Sequence, residues 1–256
     1  PHWYRGSADS IYQNLNLIND ESPRDVCVFG ADHIYKMDVR QMVARHRAVN
    51  ADLTVAAIPV STEEATAFGV IEVDEDGEII GFQEKPDDPK TMPGQPDRCL
   101  ASMGNYVFAS DALVREVTRD AEDDDSAHDF GKNIVTEMVY HSDSTVHAYD
   151  FSTNIVPGQP ESERGYWRDV GTIDSYWKAS MDLIAIKPMF DLYNQQWPTR
   201  TLYKHHAAAK FVHDDPSNNR VGRAMNSSVA EGCIVSGGTI RNSILFPRVR
   251  VNSYSR

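Results

Sequence analysis

The sequence predicts an α/β protein with a mostly parallel sheet, followed by the first coils of a β-helix. The first part rests on alternation: helix patterns at residues 7–18 and 39–49 alternate with apolar strands at residues 26–29 and 53–59. Such alternation favours parallel strands joined by crossover helices. The second part rests on a change of texture after about residue 225, where apolar residues recur every five or six positions.

Turn and cap signals define the elements in between. Ser61-Thr62-Glu63-Glu64 matches a capping box, which opens a short helix that Gly69 stops. Asp74-Glu75-Asp76-Gly77 is a strong turn signal, so residues 70–73 and 78–83 should form an antiparallel hairpin. The further predicted elements are a strand at 102–108, a helix that Ser110 caps, a helix from His128 or Asp129 to about Tyr140, a strand at 146–151, a surface loop at 154–163, and a helix at 173–184 with Ile173, Tyr176, Trp177, Met181 and Ile184 on one side.

The C-terminal part divides into a connecting segment and a repeat. Residues 188–224 lack sustained periodicity and include Pro188, Pro198 and Pro216, which indicates a linker. Beyond them, short-period aliphatic residues are typical of β-helix coils that stack on one another. The predicted division is therefore an α/β domain at 1–187, a linker at 188–224 and the start of a β-helix at 225–256.

Composition restricts the partners. A net charge of −13 without a basic cluster argues against nucleic acid. Cys27, Cys99 and Cys233 have no metal-ligand spacing, and a scattered odd set is typical of reduced thiols in a cytosolic protein. Because no apolar run approaches the length of a membrane span, we expect no membrane partner. The start at Pro1 and the alternating pattern that breaks off at 249–254 indicate an internal piece of a longer protein.

Two distant aspartates are the strongest candidates for chemistry. Asp32 follows the apolar strand at 26–29, and Asp169 lies in Tyr166-Trp167-Arg168-Asp169-Val170-Gly171 before a helix. Open α/β sheets bind ligands at the carboxyl ends of their strands, and Mg²⁺ is held by one or two carboxylates plus substrate phosphates. Taken alone, Asp32 is also typical of an Asx turn or helix cap, and Asp169 could pair with Arg168. Together they favour a shared metal and phosphate chemistry.

A second group of candidates surrounds the hairpin. Lys85 stands before Pro86, which fixes the exit of the chain, so its ammonium could anchor a phosphate. Glu84 beside it could accept hydrogen bonds from sugar hydroxyls, although an exposed Glu-Lys pair usually contributes little. Gly69 could mark close approach to a ligand or only a helix end, and Ser102 is equally ambiguous. No nucleophile and base pair points to covalent catalysis.

Eight short motifs occur in order along the chain. They are Trp-Tyr-Arg-Gly-Ser-Ala-Asp at 3–9, Ala-Asp-His-Ile-Tyr at 31–35, Ala-Phe-Gly-Val at 67–70, Glu-Lys-Pro at 84–86, Ala-Ser-Met-Gly-Asn-Tyr-Val-Phe at 101–108, His-Asp-Phe-Gly-Lys at 128–132, Tyr-Trp-Arg-Asp-Val-Gly-Thr at 166–172 and Val-Arg-Val-Asn-Ser at 249–253. Together they resemble the bacterial glucose-1-phosphate adenylyltransferase family, also called ADP-glucose pyrophosphorylase, and the resemblance covers essentially the whole chain.

The resemblance implies a Rossmann-like nucleotidyltransferase domain followed by a left-handed parallel β-helix. It also implies a cytoplasmic, allosteric homotetramer that converts ATP and glucose 1-phosphate into ADP-glucose and pyrophosphate for glycogen synthesis. The roles that it implies for individual residues are Mg²⁺ binding by Asp32 and Asp169, phosphate binding by Lys85, a glucose 1-phosphate site lined by Tyr4, Gly69, Glu84 and Ser102, and proximity of Gly6 and Ser7 to the nucleotide.

One departure and three alternatives remain. The family's N-terminal Gly-rich loop, which cradles the triphosphate, has no counterpart in the 256 residues, so we expect little turnover from this chain alone. A sister enzyme that uses UTP, dTTP or another sugar is the nearest alternative. A non-catalytic regulatory subunit is the second, and retention of both aspartates argues against it. A metal-dependent glycosyltransferase is the third, but Asp32-His33-Ile34 lacks the second Asp of the usual metal motif.

Overall fold

The computed structural model describes residues 3–255, so the predictions that involve Pro1 and Arg256 lie outside the described residues. The described chain divides into two compact units, which are treated separately below. The first comprises residues 3–31 and 37–155, and the second comprises residues 32–36 and 156–255.

The first unit contains a six-stranded sheet with helices. Its strands are β1 (Asp25–Phe29), β3 (Leu53–Ser61), β4 (Gly69–Val73), β5 (Ile79–Glu84), β6 (Arg98–Ala109) and β7 (Val146–Asp150), with β2 assigned to the second unit. Its helices are α1 (Ser7–Tyr12), α2 (Leu15–Glu21), α3 (Val39–Ala48), α4 (Thr62–Ala65), α5 (Ser110–Ala121), a π-helix at Phe130–Val135, α6 (Thr136–Tyr140) and a short 3₁₀ turn at Phe151–Thr153.

The long strand β6 organises this sheet. The order is β5-β4-β6-β3-β7, and β1 pairs with the C-terminal half of β6. Strands β1, β3, β4 and β7 run in one direction, as the mostly parallel prediction requires, while β5 and β6 run in the other. Because β1, β3 and β4 each pair with the oppositely directed β6, β3 and β7 are the only parallel hydrogen-bonded pair among the described strands of this sheet.

The core of the first unit lies between the sheet and its helices. Strand β3 is buried along its first six residues, which explains its continuous apolar run. Leu113 of α5, Ile134 of the π-helix and Met138 of α6 are fully buried against the same cluster. These contacts hold the π-helix, which directly precedes α6 and forms part of the candidate site.

Three local predictions need correction. The helix predicted from Ser7 to Ile18 is two helices, because the backbone of Asn14 leaves the α conformation and its side chain donates to the carbonyl of Ser10 (2.8 Å). Ser110 does not cap α5: Ala109 holds that position without a side-chain cap. Gly69 begins β4, since α4 ends at Ala65. The capping box at Ser61 and the hairpin of β4 and β5 are confirmed.

The second unit combines a small ribbon, one α-helix and the predicted β-helix coils. Strand β2 (His33–Tyr35) pairs antiparallel with β8 (Trp167–Asp169), and α7 (Ile173–Asp182) follows. The coils consist of parallel pairs from β9 (Lys210–Val212) onward. The remaining elements are a 3₁₀ turn at Glu161–Glu163, β10 (Asp214–Asp215), a 3₁₀ turn at Pro216–Asn218, β11 (Arg220–Val221), β12 (Arg223–Met225), β13 (Ser228–Val229), β14 (Ile234–Ser236), β15 (Thr239–Arg241), β16 (Ile244–Leu245) and β17 (Arg250–Val251).

The aliphatic repeat predicted in the coils has the expected outcome. Cys233, Val235 and Ile240 are buried, and β14 pairs with both β9 and β17. Helix α7 forms where it was predicted and ends at Asp182, two residues before the predicted end; Ile173, Tyr176 and Trp177 on its apolar side are exposed. Cys27 lies in β1 as predicted, but it is exposed as well. Among the described residues, no helix has the length and apolar character that a membrane crossing requires.

Candidate active site

The ribbon of β2 and β8 brings the two predicted metal ligands together. His33 stands opposite Asp169 in the antiparallel register, so Asp32 and Asp169 share one end of the ribbon. The backbone N–H of Val170 donates to the carbonyl of Asp32 (3.0 Å) and closes this end. The backbone N–H of Gly171 donates to Asp169 Oδ1 (2.8 Å), which orients that carboxylate.

The donor atoms at this end suit a divalent cation. Ligand atoms of Asp32, His33 and Asp169 all lie within 4.8 Å of one another. Two ligands at about 2.1 Å from one Mg²⁺ can be at most about 4.2 Å apart, so a small adjustment suffices. His33 Nε2 is 3.6 Å from Asp32 Oδ1, and His33 Nδ1 is buried without a hydrogen-bond partner within residues 3–255. His33 is not among the site residues predicted from the sequence, although it is the neighbour of Asp32.

The first unit holds a separate group around the end of β5. Glu84 stands opposite Gly69, and Val70 stands opposite Ala101, so the next position places Ser102 beside Gly69. A Cβ atom on Gly69 would lie 3.1 Å from Glu84 Oε2 and 2.5 Å from the ring of Phe82. Glycine is therefore required here by close packing, not by a helix end. The three predicted residues Gly69, Glu84 and Ser102 form one row across three strands.

The π-helix covers the Glu84 carboxylate from a second side. A Cβ atom on Gly131 would lie 2.6 Å from Glu84 Oε2, and Asp129 caps the π-helix by accepting from the N–H of Lys132 (3.0 Å). Burial raises the pKa of the Glu84 carboxyl, and the nearby negative charge of Asp129 raises it further. The group formed by Gly69, Glu84, Ser102, Asp129 and Gly131 is called the recess below, and its two carboxylates can accept hydrogen bonds from sugar hydroxyls. Asp129 and Gly131 had no assigned role in the sequence, although their motif was recognised.

Lys85 leaves the same strand end in an unusual backbone conformation. Its φ is +47°, and its N–H donates to the carbonyl of Phe68 (3.1 Å). Its side chain is 65% exposed, and Nζ is 3.8 Å from Glu84 Oε1, too far for a hydrogen bond. A positive φ at a residue other than glycine is strained and is often found at functional sites. The ammonium is thus held at the rim of the recess and remains available to an anion.

Gly6 and Ser7 pack against the loop that carries Asp129. Ser7 Oγ accepts from the N–H of Phe130 (3.0 Å) and donates to Asp129 Oδ2 (3.3 Å). A Cβ atom on Gly6 would lie 2.5 Å from the carbonyl oxygen of Ala127. Tyr4 is exposed and its hydroxyl accepts from Asn14 Nδ2 (3.3 Å). The nucleotide and sugar roles of these three residues therefore stay predictions.

A buried Asp-His pair stabilises the same loop. His128 Nδ1 is hydrogen-bonded to Asp120 Oδ2 (2.8 Å), and Ser126 Oγ donates to Asp120 Oδ1 (2.6 Å). His128 has a φ of +52°, and its carbonyl accepts from the N–H of Ala8 (2.8 Å). The pair compensates this strained conformation and so fixes the position of the next residue, Asp129, which caps the π-helix.

Known proteins are similar to this chain over its whole length. Glucose-1-phosphate adenylyltransferase of Anaeromyxobacter dehalogenans (strain 2CP-C) is 58% identical over 256 residues, which are 100% of this chain and 62% of that protein. The Thermus thermophilus protein of the same name is 55% identical over 255 residues, with 100% and 61% covered. Glucose-1-phosphate adenylyltransferase 1 of Vibrio cholerae is 48% identical over 243 residues, with 95% and 58% covered. The chain thus spans about three fifths of the length of these relatives.

Family models assign both parts of the chain. Residues 207–256 match the GlmU-like C-terminal hexapeptide family, which accounts for the parallel coils and makes them a left-handed β-helix. Residues 2–185 match the nucleotidyl transferase family, whose members generally use a divalent metal. That match covers both the ribbon with Asp32 and Asp169 and the recess with Glu84 and Lys85. The chain therefore belongs to the nucleotidyl transferase family.

Proposed function

We propose that this chain carries the sugar-phosphate and metal-binding residues of a glucose-1-phosphate adenylyltransferase. The observation that carries the proposal is the ribbon, which brings Asp32 and Asp169 together from distant parts of the sequence. The names and high identities of the relatives support the same reaction. The products are ADP-glucose and pyrophosphate.

Recognition of glucose 1-phosphate falls to the recess in the first unit. Lys85 binds the phosphate through its exposed ammonium, and Glu84 and Asp129 accept hydrogen bonds from the sugar hydroxyls. Gly69 and Gly131 leave the space that the Glu84 carboxylate occupies, because a Cβ atom at either position would approach Glu84 Oε2 within 3.1 Å. Ser102 adds a hydroxyl on the neighbouring strand. Tyr4 contributes to the sugar side, and Gly6 and Ser7 contribute to the nucleotide side.

The reaction is an in-line transfer between two anions. An oxygen of the sugar phosphate attacks the α-phosphorus of ATP, a new P–O bond forms, and the bond to the β-phosphate oxygen breaks so that pyrophosphate leaves with the electron pair. No base is needed, because the phosphate monoester is already ionised near neutral pH. Like unit charges 4 Å apart repel by about 4 kcal/mol at an effective dielectric near 20.

The carboxylate oxygens at the end of the ribbon fit Mg²⁺, a hard cation that prefers oxygen ligands. When bound by Asp32 and Asp169, Mg²⁺ supplies positive charge to the phosphate oxygens. Gly171, through its N–H, holds the Asp169 carboxylate in place for this task. Lys85 fixes the attacking phosphate and offsets part of the repulsion on that side.

The proposal includes the wider properties that the family resemblance implies. The protein acts in the cytoplasm as a homo-oligomer, a tetramer in the family, and Mg²⁺ is its cation. The catalytic domain ends near residue 187 and a linker follows; the β-helix, predicted from the sequence to begin near residue 225, already has its first parallel coil strand at β9 (Lys210–Val212). The matches at residues 2–185 and 207–256 support two domains with a connecting segment between them.

The test compares nucleotides in the full-length enzyme that contains this chain. Pyrophosphate release is measured with glucose 1-phosphate and Mg²⁺, and with ATP or UTP as the nucleotide. We expect kcat/KM at least tenfold higher with ATP. A preference for UTP would assign the protein to a sister enzyme, and no release with either nucleotide would favour a regulatory subunit.

A further inference from the structure

A buried ion pair lies at the end of the ribbon opposite to the two carboxylates. Lys36 follows β2 directly, and Glu163 lies in the 3₁₀ turn shortly before β8. Lys36 Nζ is 2.9 Å from Glu163 Oε1, and the two side chains are only 4% and 1% exposed. Asp32 and Asp169 lie at the end of the ribbon where His33 is opposite Asp169. The ion pair lies beyond the other end, where Tyr35 is opposite Trp167.

Further contacts join the ion pair to a third segment. Glu163 Oε1 accepts from the N–H of Asp191 (3.0 Å), and Lys36 Nζ donates to the carbonyl of Asp191. The ammonium also lies 4.8 Å above the ring of Phe190. Glu163 Oε2 is buried without a hydrogen-bond partner among the described residues, so the contacts of Oε1 and of the ammonium are the ones that hold both side chains in one arrangement.

The ribbon itself needs such an anchor. It consists of three residue pairs, and a two-stranded ribbon of this length is not stable in water without further packing. A slip of one residue between β2 and β8 would turn every side chain to the opposite face and separate the two carboxylates. The ion pair connects the chain just after β2 to the chain just before β8, which makes it the contact best placed to prevent that slip.

We propose that Lys36 and Glu163 are positioning residues that set the register of β2 against β8, and through it the separation of the Asp32 and Asp169 carboxylates. The inference rests on the metal site of the proposed function. It assigns a task to Lys36, the residue that follows the Asp-His-Ile-Tyr motif and that the reaction itself does not use. It also explains why a charged pair is kept in the interior, where an apolar pair would give similar stability.

The test measures Mn²⁺ binding to residues 1–256 by the loss of the free-ion electron paramagnetic resonance signal. The variants are Lys36→Met and Glu163→Gln. The control is Glu72→Gln, which breaks the partly exposed ion pair of Lys90 and Glu72. We expect both variants to bind Mn²⁺ at least tenfold more weakly. Hydrogen exchange should become faster in peptides from residues 160–172 and remain unchanged in peptides from residues 223–251. Glu72→Gln should change neither quantity.

A second variant covers the case in which the single variants do not fold. Lys36→Met/Glu163→Met leaves no unpaired charge, so it should keep a Tm near that of the wild type and still bind Mn²⁺ at least fivefold more weakly. Binding within twofold of the wild type by folded variants would overturn the positioning role alone. Absence of Mn²⁺ binding by the wild type would overturn the proposed metal site and this inference with it.

Discussion

The ribbon and the recess supply the same chemical group, a carboxylate, in two different ways. Asp169 is the last residue of β8, and Asp32 directly precedes β2; both strands have only three residues. Glu84 instead ends a strand of the six-stranded sheet and is surrounded by Gly69, Gly131 and the π-helix. The recess is therefore assembled by the core of its unit, whereas the ribbon depends on a few specific contacts.

Solvent exposure separates Asp32 from Glu84, while Asp169 and Asp129 are both half-buried. The side chain of Asp32 is 62% exposed, whereas that of Glu84 is 28% exposed and has a raised pKa. A carboxylate that receives a hydrated cation can remain in water until the ion arrives. The hydrogen bonds between a carboxylate and neutral hydroxyls are stronger where water has already been excluded. In the proposed function, the exposed Asp32 carboxylate is therefore the one most accessible to a hydrated cation.

The largest expected effect concerns the ribbon. Asp169→Asn in the full-length enzyme should lower kcat by about a thousandfold, or about 4 kcal/mol, because charge supplied by the metal acts mainly in the transition state. The KM for glucose 1-phosphate should change by less than about threefold. Steady-state pyrophosphate release measures both constants. The control is Asp174→Asn, an exposed residue in the first turn of α7, and an equal loss there would contradict the assignment.

The recess should give the opposite kinetic pattern. Lys85→Gln removes a charge-assisted contact worth about 1.5–3 kcal/mol, so KM for glucose 1-phosphate should rise about 10- to 100-fold. KM for ATP should stay within about threefold, because the proposed function assigns the ammonium to the sugar phosphate and not to ATP. Lys90→Gln, on the chain that follows the same hairpin, should change neither constant. Equal effects of Lys85→Gln on both substrates would place Lys85 elsewhere in the reaction.

A smaller effect is expected where glycine makes room for Glu84. Gly131→Ala would place a Cβ atom 2.6 Å from Glu84 Oε2, so the carboxylate must leave its rotamer at a cost of about 1 kcal/mol. KM for glucose 1-phosphate should rise about fivefold, as measured in the same assay. Gly94→Ala strains a residue with φ of +73° but meets no atom within 4 Å, so it should lower stability and leave KM unchanged. Unchanged KM in Gly131→Ala would remove Glu84 from the sugar site.

The smallest effect is a pH dependence of stability. The pKa of Glu84 is raised in the folded chain, so folding favours its protonated form, and ionisation at higher pH destabilises the fold. Glu84→Gln should therefore be more stable than the wild type at pH 7, with a difference that vanishes as pH falls below the unfolded pKa near 4.3. Thermal unfolding at several pH values measures this difference. Glu75→Gln, an exposed turn residue, should show none.

The sequence predicted the elements that have strong periodicity, and less of what depends on tertiary contacts. The hairpin, the capping box and the coils follow from local signals. The pairing of β2 with β8 does not, because strands of three residues carry no periodic pattern. The sequence did not single out His33 and Asp129 as site residues, because the fold places each of them beside residues from distant parts of the chain. The π-helix at Phe130–Val135 reads as an ordinary helix in sequence, although such segments are common at functional sites.

The most direct test of the account is the location of Mn²⁺ in crystals of residues 1–256. The ribbon and the recess each present two carboxylates, and the anomalous signal of the ion shows which of the two binds it. The account predicts one peak at about 2.2 Å from an oxygen of both Asp32 and Asp169. A peak between Glu84 and Asp129, or one that contacts only a single aspartate of the ribbon, would contradict it.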